Sequence, residues 1–172
     1  MKKTILLVKS LLLVGILSVS CNNDNGSDCP DALKGELNTA ETEFAGTWKL
    51  KDIIADEAID LTDDDVDNPS TDIFSQSSDC QNDLVYNFMT DRDYTLTQGE
   101  NVTDCDDLES VGTWALSGST LTLVAYCTTQ STVLTISEDD TEFTYSANLN
   151  FKDVNDAVIT SSVIFTYEKE LP

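Results

Sequence analysis

The chain has 172 residues, 32 of them acidic and 9 basic, with no histidine, and carries a formal charge of −23 at pH 7. A surface of that sign repels nucleic acid and anionic lipid head groups. Without histidine the usual neutral-pH base and the commonest transition-metal ligand are missing.

The first segment, "MKKTILLVKSLLLVGILSVS", has a basic start at Lys2 and Lys3, an apolar run to Leu17 and small residues before Cys21. That is the order of a bacterial secretory signal, and residues 1–20 are read as removed. Its uninterrupted apolar part, Leu11 to Leu17, is too short for a permanent membrane span. Ser18-Val19-Ser20 suits ordinary signal peptidase. "ILSVSC" also resembles a lipoprotein signal, with Ser18 where leucine is usual, and this reading makes Cys21 the acylated N-terminus. The polar "CNNDNGSD" after it resembles the surface-export signals of Bacteroidetes lipoproteins. The expectation is an exported protein held in the cell envelope by N-terminal lipid, at the outer membrane or cell surface. Loss of three lysines leaves 9 − 3 = 6 basic residues against 32 acidic ones, so the mature chain is near −26. Four cysteines then remain, Cys29, Cys80, Cys105 and Cys127, an even number for an oxidising compartment.

Residues 21–31 are mostly Asn, Asp, Gly and Ser, a flexible acidic tether. Over 32–45, Leu33, Leu37 and Ala40 at helical spacing predict a short helix as lead-in, weakened by Gly35. From Gly46 the rhythm becomes period two, and 46–170 reads as one β domain, which a mature length of about 150 residues can supply with a single core. Trp48, Leu50 and Ile54 are expected on one face of the first strand, with Lys49 and Lys51 opposite. Strands at about 83–90 and 92–98 align Leu84, Tyr86 and Phe88, then Tyr94 and Leu96. "STLTLVAYC" aligns Leu121, Leu123 and Ala125. "TEFTYSANLNF" alternates Phe143, Tyr145, Ala147, Leu149 and Phe151 with polar residues, and Ile159, Val163, Phe165 and Tyr167 share one parity near the end. "TDRD", "SGS" and "SEDD" punctuate these runs as turns. About eight strands joined by short loops predict antiparallel neighbours closing into an up-and-down barrel, with a β-sandwich as the alternative.

Cysteine positions test that register. A turn near Asp91 places residues whose numbers sum to about 183–185 opposite one another, and Cys80 and Cys105 sum to 185, so a disulfide is expected at the open end of the hairpin. Cys127, given the parity of a buried face, either pairs with Cys29 or stays a buried thiol. Both tryptophans stand in one frame, "GTWKL" at Gly46 and "GTWAL" at Gly112. Each is expected to open a strand, glycine allowing the turn and tryptophan plugging a barrel end.

The order Gly-Thr-Trp, cysteine, aromatic strand, Asp-turn-Tyr hairpin, cysteine, Gly-Thr-Trp and Leu-Thr-Leu strand resembles the lipocalin-like domain of Bacteroidetes-type lipoproteins, over roughly 44–168. Arg92 stands where such hairpins usually carry glycine. The resemblance implies a small calyx-like barrel.

The acidic stretch "DLTDDDVDNPSTDI" sets Asp60, Thr62, Asp64 and Asp65 close together, followed by Asp72. Oxygen ligands at such spacing are what calcium needs. The stretch is also similar to a calcium-loop pattern, Asp-x-Asn-x-Asp-Gly, of related lipocalin-like sequences. Thr62 and Asp65 depart from it, and a solvated acidic loop is the rival reading. No nucleophile elbow, phosphate loop or dinucleotide fingerprint is present, and no cofactor other than calcium is suggested, so the protein is read as non-enzymatic. Trp48, Tyr86, Phe88, Tyr94, Trp114, Phe143, Tyr145, Phe165 and Tyr167 are the candidates to line a pocket for a small lipophilic or amphipathic molecule. The competing reading is a structural or interaction lipoprotein with a filled barrel, since eight strands leave little room inside.

Overall fold

The alternating segments become ten antiparallel strands in the computed structural model, which describes residues 29–171. Residues 1–20, expected to be a signal peptide, and Cys21 lie outside the described residues. A helix α1 (Thr39–Phe44) leads into β1 (Gly46–Ile59), β2 (Ser70–Asp72), helix α2 (Asp79–Asn82) and β3 (Leu84–Phe88). Then come β4 (Asp93–Gln98), β5 (Leu108–Ser117), β6 (Thr120–Ala125), β7 (Thr128–Val133), β8 (Thr135–Ile136), β9 (Glu142–Lys152) and β10 (Val158–Lys169). The sheet order is β7-β6-β5-β4-β3-β1-β10-β9-β8, with β2 on β1.

Only Leu134 separates β7 from β8, yet β7 pairs with β6 and β8 with β9. One continuous segment therefore joins both edges of the sheet, and the result is a nearly closed antiparallel barrel. Leu134 is buried and its N–H donates to the Ser119 carbonyl at 2.7 Å, which fixes the bend. Beyond it β7 and β9 diverge and leave a lateral notch. The strand count exceeds eight through the short β2 and β8 and the polar β7, whose "TTQSTV" offers no apolar alternation to read. The barrel itself matches the expected architecture.

Five expectations need correction. Ile54 does not share the face of Trp48 and Leu50. A bulge between Leu50 and Asp52 inserts one residue, so Ile53 and Ala55 turn inward and Ile54 is 37% exposed. The lead-in helix forms later than its apolar spacing indicates, at Thr39–Phe44, where Asn38 and Glu41 make a reciprocal capping box. Residues 29–31 are not free tether, because Cys29 is bonded to Cys127. Cys127 lies in the exposed β6–β7 turn, with Tyr126 and Cys127 both left-handed (φ 48° and 58°), the geometry of a two-residue hairpin loop. The Gly112 frame falls inside β5 and opens no strand.

Gly112 has its own reason to be glycine. A Cβ there would come within 2.3 Å of the Val124 carbonyl oxygen and 2.8 Å of the Tyr94 ring. Tyr94 pairs directly with Gly112 across β4 and β5, and its ring occupies the space a side chain would need.

Candidate functional site

The two ends of the barrel differ in construction. At the end where β1 begins, α1 lies across the opening and Phe44 reaches inward. Its ring stacks on Trp48 at 4.9 Å and meets Phe88 at 5.1 Å, Phe143 at 5.5 Å and Trp114 at 6.0 Å. Trp48 and Trp114 are both fully buried, and their indole N–H groups donate to the Phe44 and Met89 carbonyls at 2.9 and 3.0 Å. Satisfied donors and close-packed rings make this end a dry floor. Lys169 covers it from outside, 5.3 Å over the Trp48 ring.

The floor is locked by a pair that sequence reasoning did not find. Arg92 has φ 74°, the left-handed value that explains why related hairpins carry glycine there. Its guanidinium uses all five donor positions. Nη1 and Nη2 grip the Glu41 carboxylate at 2.7 and 2.9 Å, and the others reach the Gly35, Glu36 and Trp114 carbonyls at 2.9, 3.0 and 3.3 Å. Glu41 also accepts from the Asn38 and Leu116 backbone N–H groups at 2.9 and 3.1 Å. Hydrogen bonding from Arg92 is the main cause that holds the Glu41 carboxyl below the usual range, and Glu41 in turn raises Arg92. This bidentate pair ties the helix and the preceding strap to the β3–β4 turn. The signal available in advance was an arginine at a glycine position in a chain nearly free of basic residues.

Phe143, Phe88 and Trp114 are sealed, whereas Tyr86, Leu96, Leu123, Tyr145, Leu149 and Ile159 on the same inward parities stay half-buried while still packing on the core. Ile59, Ile73, Leu84 and Phe151, away from the floor, are sealed as well, so the buried core runs the length of the barrel. The notch between β7 and β9 forms a cleft of about 500 Å³ lined by Ser131, Thr132, Val133, Thr135, Thr144, Tyr145 and Ser146, so Tyr145 borders both the lumen and the cleft.

Of the nine aromatic candidates, Trp48, Phe88, Trp114 and Phe143 belong to the floor. Tyr167 joins them, stacked on Phe143 at 4.9 Å. Tyr94 and Phe165 are buried in the wall. Tyr86 and Tyr145 alone keep accessible surface in the lumen. The Tyr86 ring stacks on Phe88 at 5.2 Å and touches Tyr167 at 5.4 Å. Burial pushes the Tyr86 and Tyr167 hydroxyls well above the ordinary tyrosine value and raises Tyr145 and Tyr94 as well. The Tyr145 and Tyr167 rings lie stacked, 6.2 Å apart. The sequence named both tyrosines as candidates but did not show the aliphatic side chains beside them.

The acidic loop gathers Asp60, Thr62, Asp64 and Asn68 into one hydrogen-bonded network. The Asp60 carboxylate is taken up locally, accepting from the Thr62 N–H at 3.1 Å, the Thr62 hydroxyl at 3.0 Å and the Asn68 N–H at 3.2 Å. Asp64 accepts from Val66 and Asn68, Asp65 is exposed at φ 63°, and Asp72 turns to the Ser75 N–H at 2.8 Å. Among the described residues no three acidic or sulfur side chains are grouped for a metal ion. Of the five predicted oxygen donors, Asp65 and Asp72 make no hydrogen bond with the Asp60–Thr62–Asp64 group among the described residues.

Disulfides join Cys80 to Cys105 and Cys29 to Cys127, with Cα separations of 5.6 and 4.4 Å. The first is the expected one, although the hairpin register sums to 182, as in Leu84 with Gln98. Helix α2 and the loop after β4 supply the extra reach. Two such bridges accord with an extracellular or periplasmic setting. Among the described residues no helix is long and apolar enough to cross a membrane.

A family model described as a domain of unknown function (DUF5004) matches residues 22–170. The chain belongs to that family. No curated protein matches it. In this DUF5004 domain the all-β barrel is compatible with the lipocalin-like fold.

Proposed function

We propose that this DUF5004 protein is an exported, lipid-anchored envelope protein whose barrel binds a small apolar or amphipathic molecule and catalyses no reaction. The observation that supports the reading is the apolar surface left half-buried at Tyr86, Leu96, Leu123, Tyr145, Leu149 and Ile159, with Tyr145 also bordering the cleft between β7 and β9. A wall of apolar side chains with a few hydroxyls suits a molecule that is mostly hydrocarbon or aromatic. The two disulfides support export, and the family match beginning one residue after Cys21 accords with a mature chain starting there. Anchorage at the outer membrane or cell surface belongs to the same proposal.

Nile red, a neutral dye that brightens in apolar surroundings, tests the reading. The purified mature chain should bind it saturably, and Ala147→Trp, which fills the upper wall, should abolish binding while leaving the unfolding midpoint within a few degrees. Unchanged dye fluorescence with the native chain would refute it. Five of the nine candidate aromatics are sealed in the floor and favour the second reading, a filled barrel that acts through its outer face. That reading predicts no saturable binding. Mass spectrometry of the native N-terminus tests the anchor, since acylated Cys21 is required.

A further inference from the structure

We infer that the seam between β7 and β9 takes an extended, net-basic segment of a partner protein, which enters it as an added strand. This does not depend on what the barrel interior binds.

Two unpaired sheet edges bound the seam. β7 pairs with β6 on one side alone, and β9 pairs with β8 only at Phe143 and Thr144. In an antiparallel strand the backbone groups of alternate residues point to opposite neighbours. The Leu134 N–H reaches the Ser119 carbonyl, so Gln130 and Thr132 also face β6. Thr129, Ser131 and Val133 therefore direct their N–H and C=O groups into the seam. On the far side the Glu142 carbonyl accepts from the Ser137 N–H, which sets Ser146, Asn148 and Asn150 toward the seam by the same alternation. Among the described residues no strand pairs with either edge beyond Thr144. Between them lies the cleft of about 500 Å³ that Ser131 and Ser146 border. A strand laid there meets donors and acceptors on both of its own edges, the mode of recognition in which main-chain hydrogen bonds supply the affinity.

The two edges are also unguarded. Free edges are ordinarily blunted by charge or proline. Here Thr128–Val133 reads "TTQSTV" and residues 143–151 read "FTYSANLNF", with neither, in a chain of 172 residues that has 32 acidic ones. Charge gathers at the ends of the seam instead, and it names the sign of the occupant. The turn before β9 holds Glu138, Asp139 and Asp140, and the turn after it holds Asp153 and Asp156. Lys152 is the only basic residue between 120 and 157, and it is paired with Asp156. A second copy of this chain, formally −23, is repelled from the seam, and so is an acidic segment. A segment uncharged along its middle and basic at its ends matches both the edges and the turns.

A capped octapeptide with three Thr-Val repeats between terminal lysines tests this by NMR on the intact, isotope-labelled chain. In the free chain the amides of Thr129, Ser131, Ser146 and Asn148 should exchange freely, while those of Gln130 and Ala147, which face β6 and β10, exchange slowly. Saturating peptide should slow the first four by more than about tenfold. N-methylation of alternate peptide amides, which removes donors and leaves the fold of the protein untouched, should weaken binding by more than about tenfold. Glutamates in place of the two lysines should do the same at about 10 mM salt. Ser131→Pro deletes one seam-facing N–H without cutting the ladder to β6, and should weaken binding by about threefold or more with the thermal midpoint held within a few degrees. Absence of saturable binding, equal affinity for the N-methylated peptide, or a preference for the glutamate peptide would each overturn the inference. Slow exchange at the four seam amides in the free chain would do so too, for β7 and β9 would then be paired with each other.

Discussion

Replacing Arg92 by alanine removes five hydrogen bonds and leaves the Glu41 carboxylate, 2% exposed, without its counter-charge. Breaking a buried ion pair from one side costs about 3–5 kcal/mol, because the remaining charge stays in a poor solvent. Alanine also keeps the left-handed backbone at φ 74°, a conformation that costs roughly 1–2 kcal/mol in non-glycine residues. Glycine escapes that cost but loses about 0.5–1 kcal/mol through its freer unfolded chain. Arg92→Gly should therefore unfold about 0.5–1 kcal/mol later than Arg92→Ala. Glu41→Gln should be milder, about 1–3 kcal/mol, since Arg92 keeps its three carbonyl partners. The assay is urea denaturation of the oxidised chain followed by tryptophan fluorescence, both indoles being at the floor. The pH dependence gives a second check. Glu41 titrates below its unfolded value of 4.5, so its contribution is present above that pH and is lost as pH falls through the lowered native value. The stability gap between native and Glu41→Gln should hold above pH 4.5 and close in stronger acid. A cost below about 1 kcal/mol for Arg92→Ala, or a gap that ignores pH, would refute the lock.

Gly112→Ala drives a methyl against the Val124 carbonyl and the Tyr94 ring and should cost about 1–3 kcal/mol, read as a lowered thermal midpoint; an unchanged midpoint would show that β5 and β6 yield freely. The bridges close separations of 98 and 25 residues, so chain entropy predicts losses of about 4.7 kcal/mol for Cys29→Ser/Cys127→Ser and about 3.5 for Cys80→Ser/Cys105→Ser. The reverse ranking in denaturant would mean that the strap stays docked without its bond. Calcium at millimolar levels should leave the thermal midpoint in place, because Asp60 is already satisfied; a 10 μM site would add about 2.7 kcal/mol at 1 mM, so such a rise would show the loop rearranging into a site. The buried tyrosines have native pKa values raised above 10.0, so stability is full below pH 10 and falls as pH rises past it; ultraviolet titration should show their phenolate absorbance appearing only with unfolding.

Much of this architecture could be read from residue order. Period-two alternation, as in Phe143 to Phe151, reports directly which side of a strand is dry, since successive side chains point to opposite faces. Turn clusters such as "SEDD" and "TDRD" report where the chain reverses. The Cys80–Cys105 bridge was legible because the two cysteines flank one hairpin, although α2 and the loop after β4 were needed to bring them together. These features are local, or depend on one short-range pairing, so neighbouring residues suffice to reveal them.

Tertiary structure decided the rest, because it arose between segments far apart in sequence. The bulge at Leu50/Asp52 moved Ile54 outward, and nothing in "KLKDII" announces it. Glu41 and Arg92 stand 51 residues apart and became partners only when α1 swung under the barrel. The polar strand β7 exists because β6 offered a free edge, and backbone hydrogen bonds are indifferent to side-chain pattern. The division of nine aromatics into a sealed floor and two accessible tyrosines depended on the same closure, for depth along a barrel is set by how every strand is staggered against its neighbours.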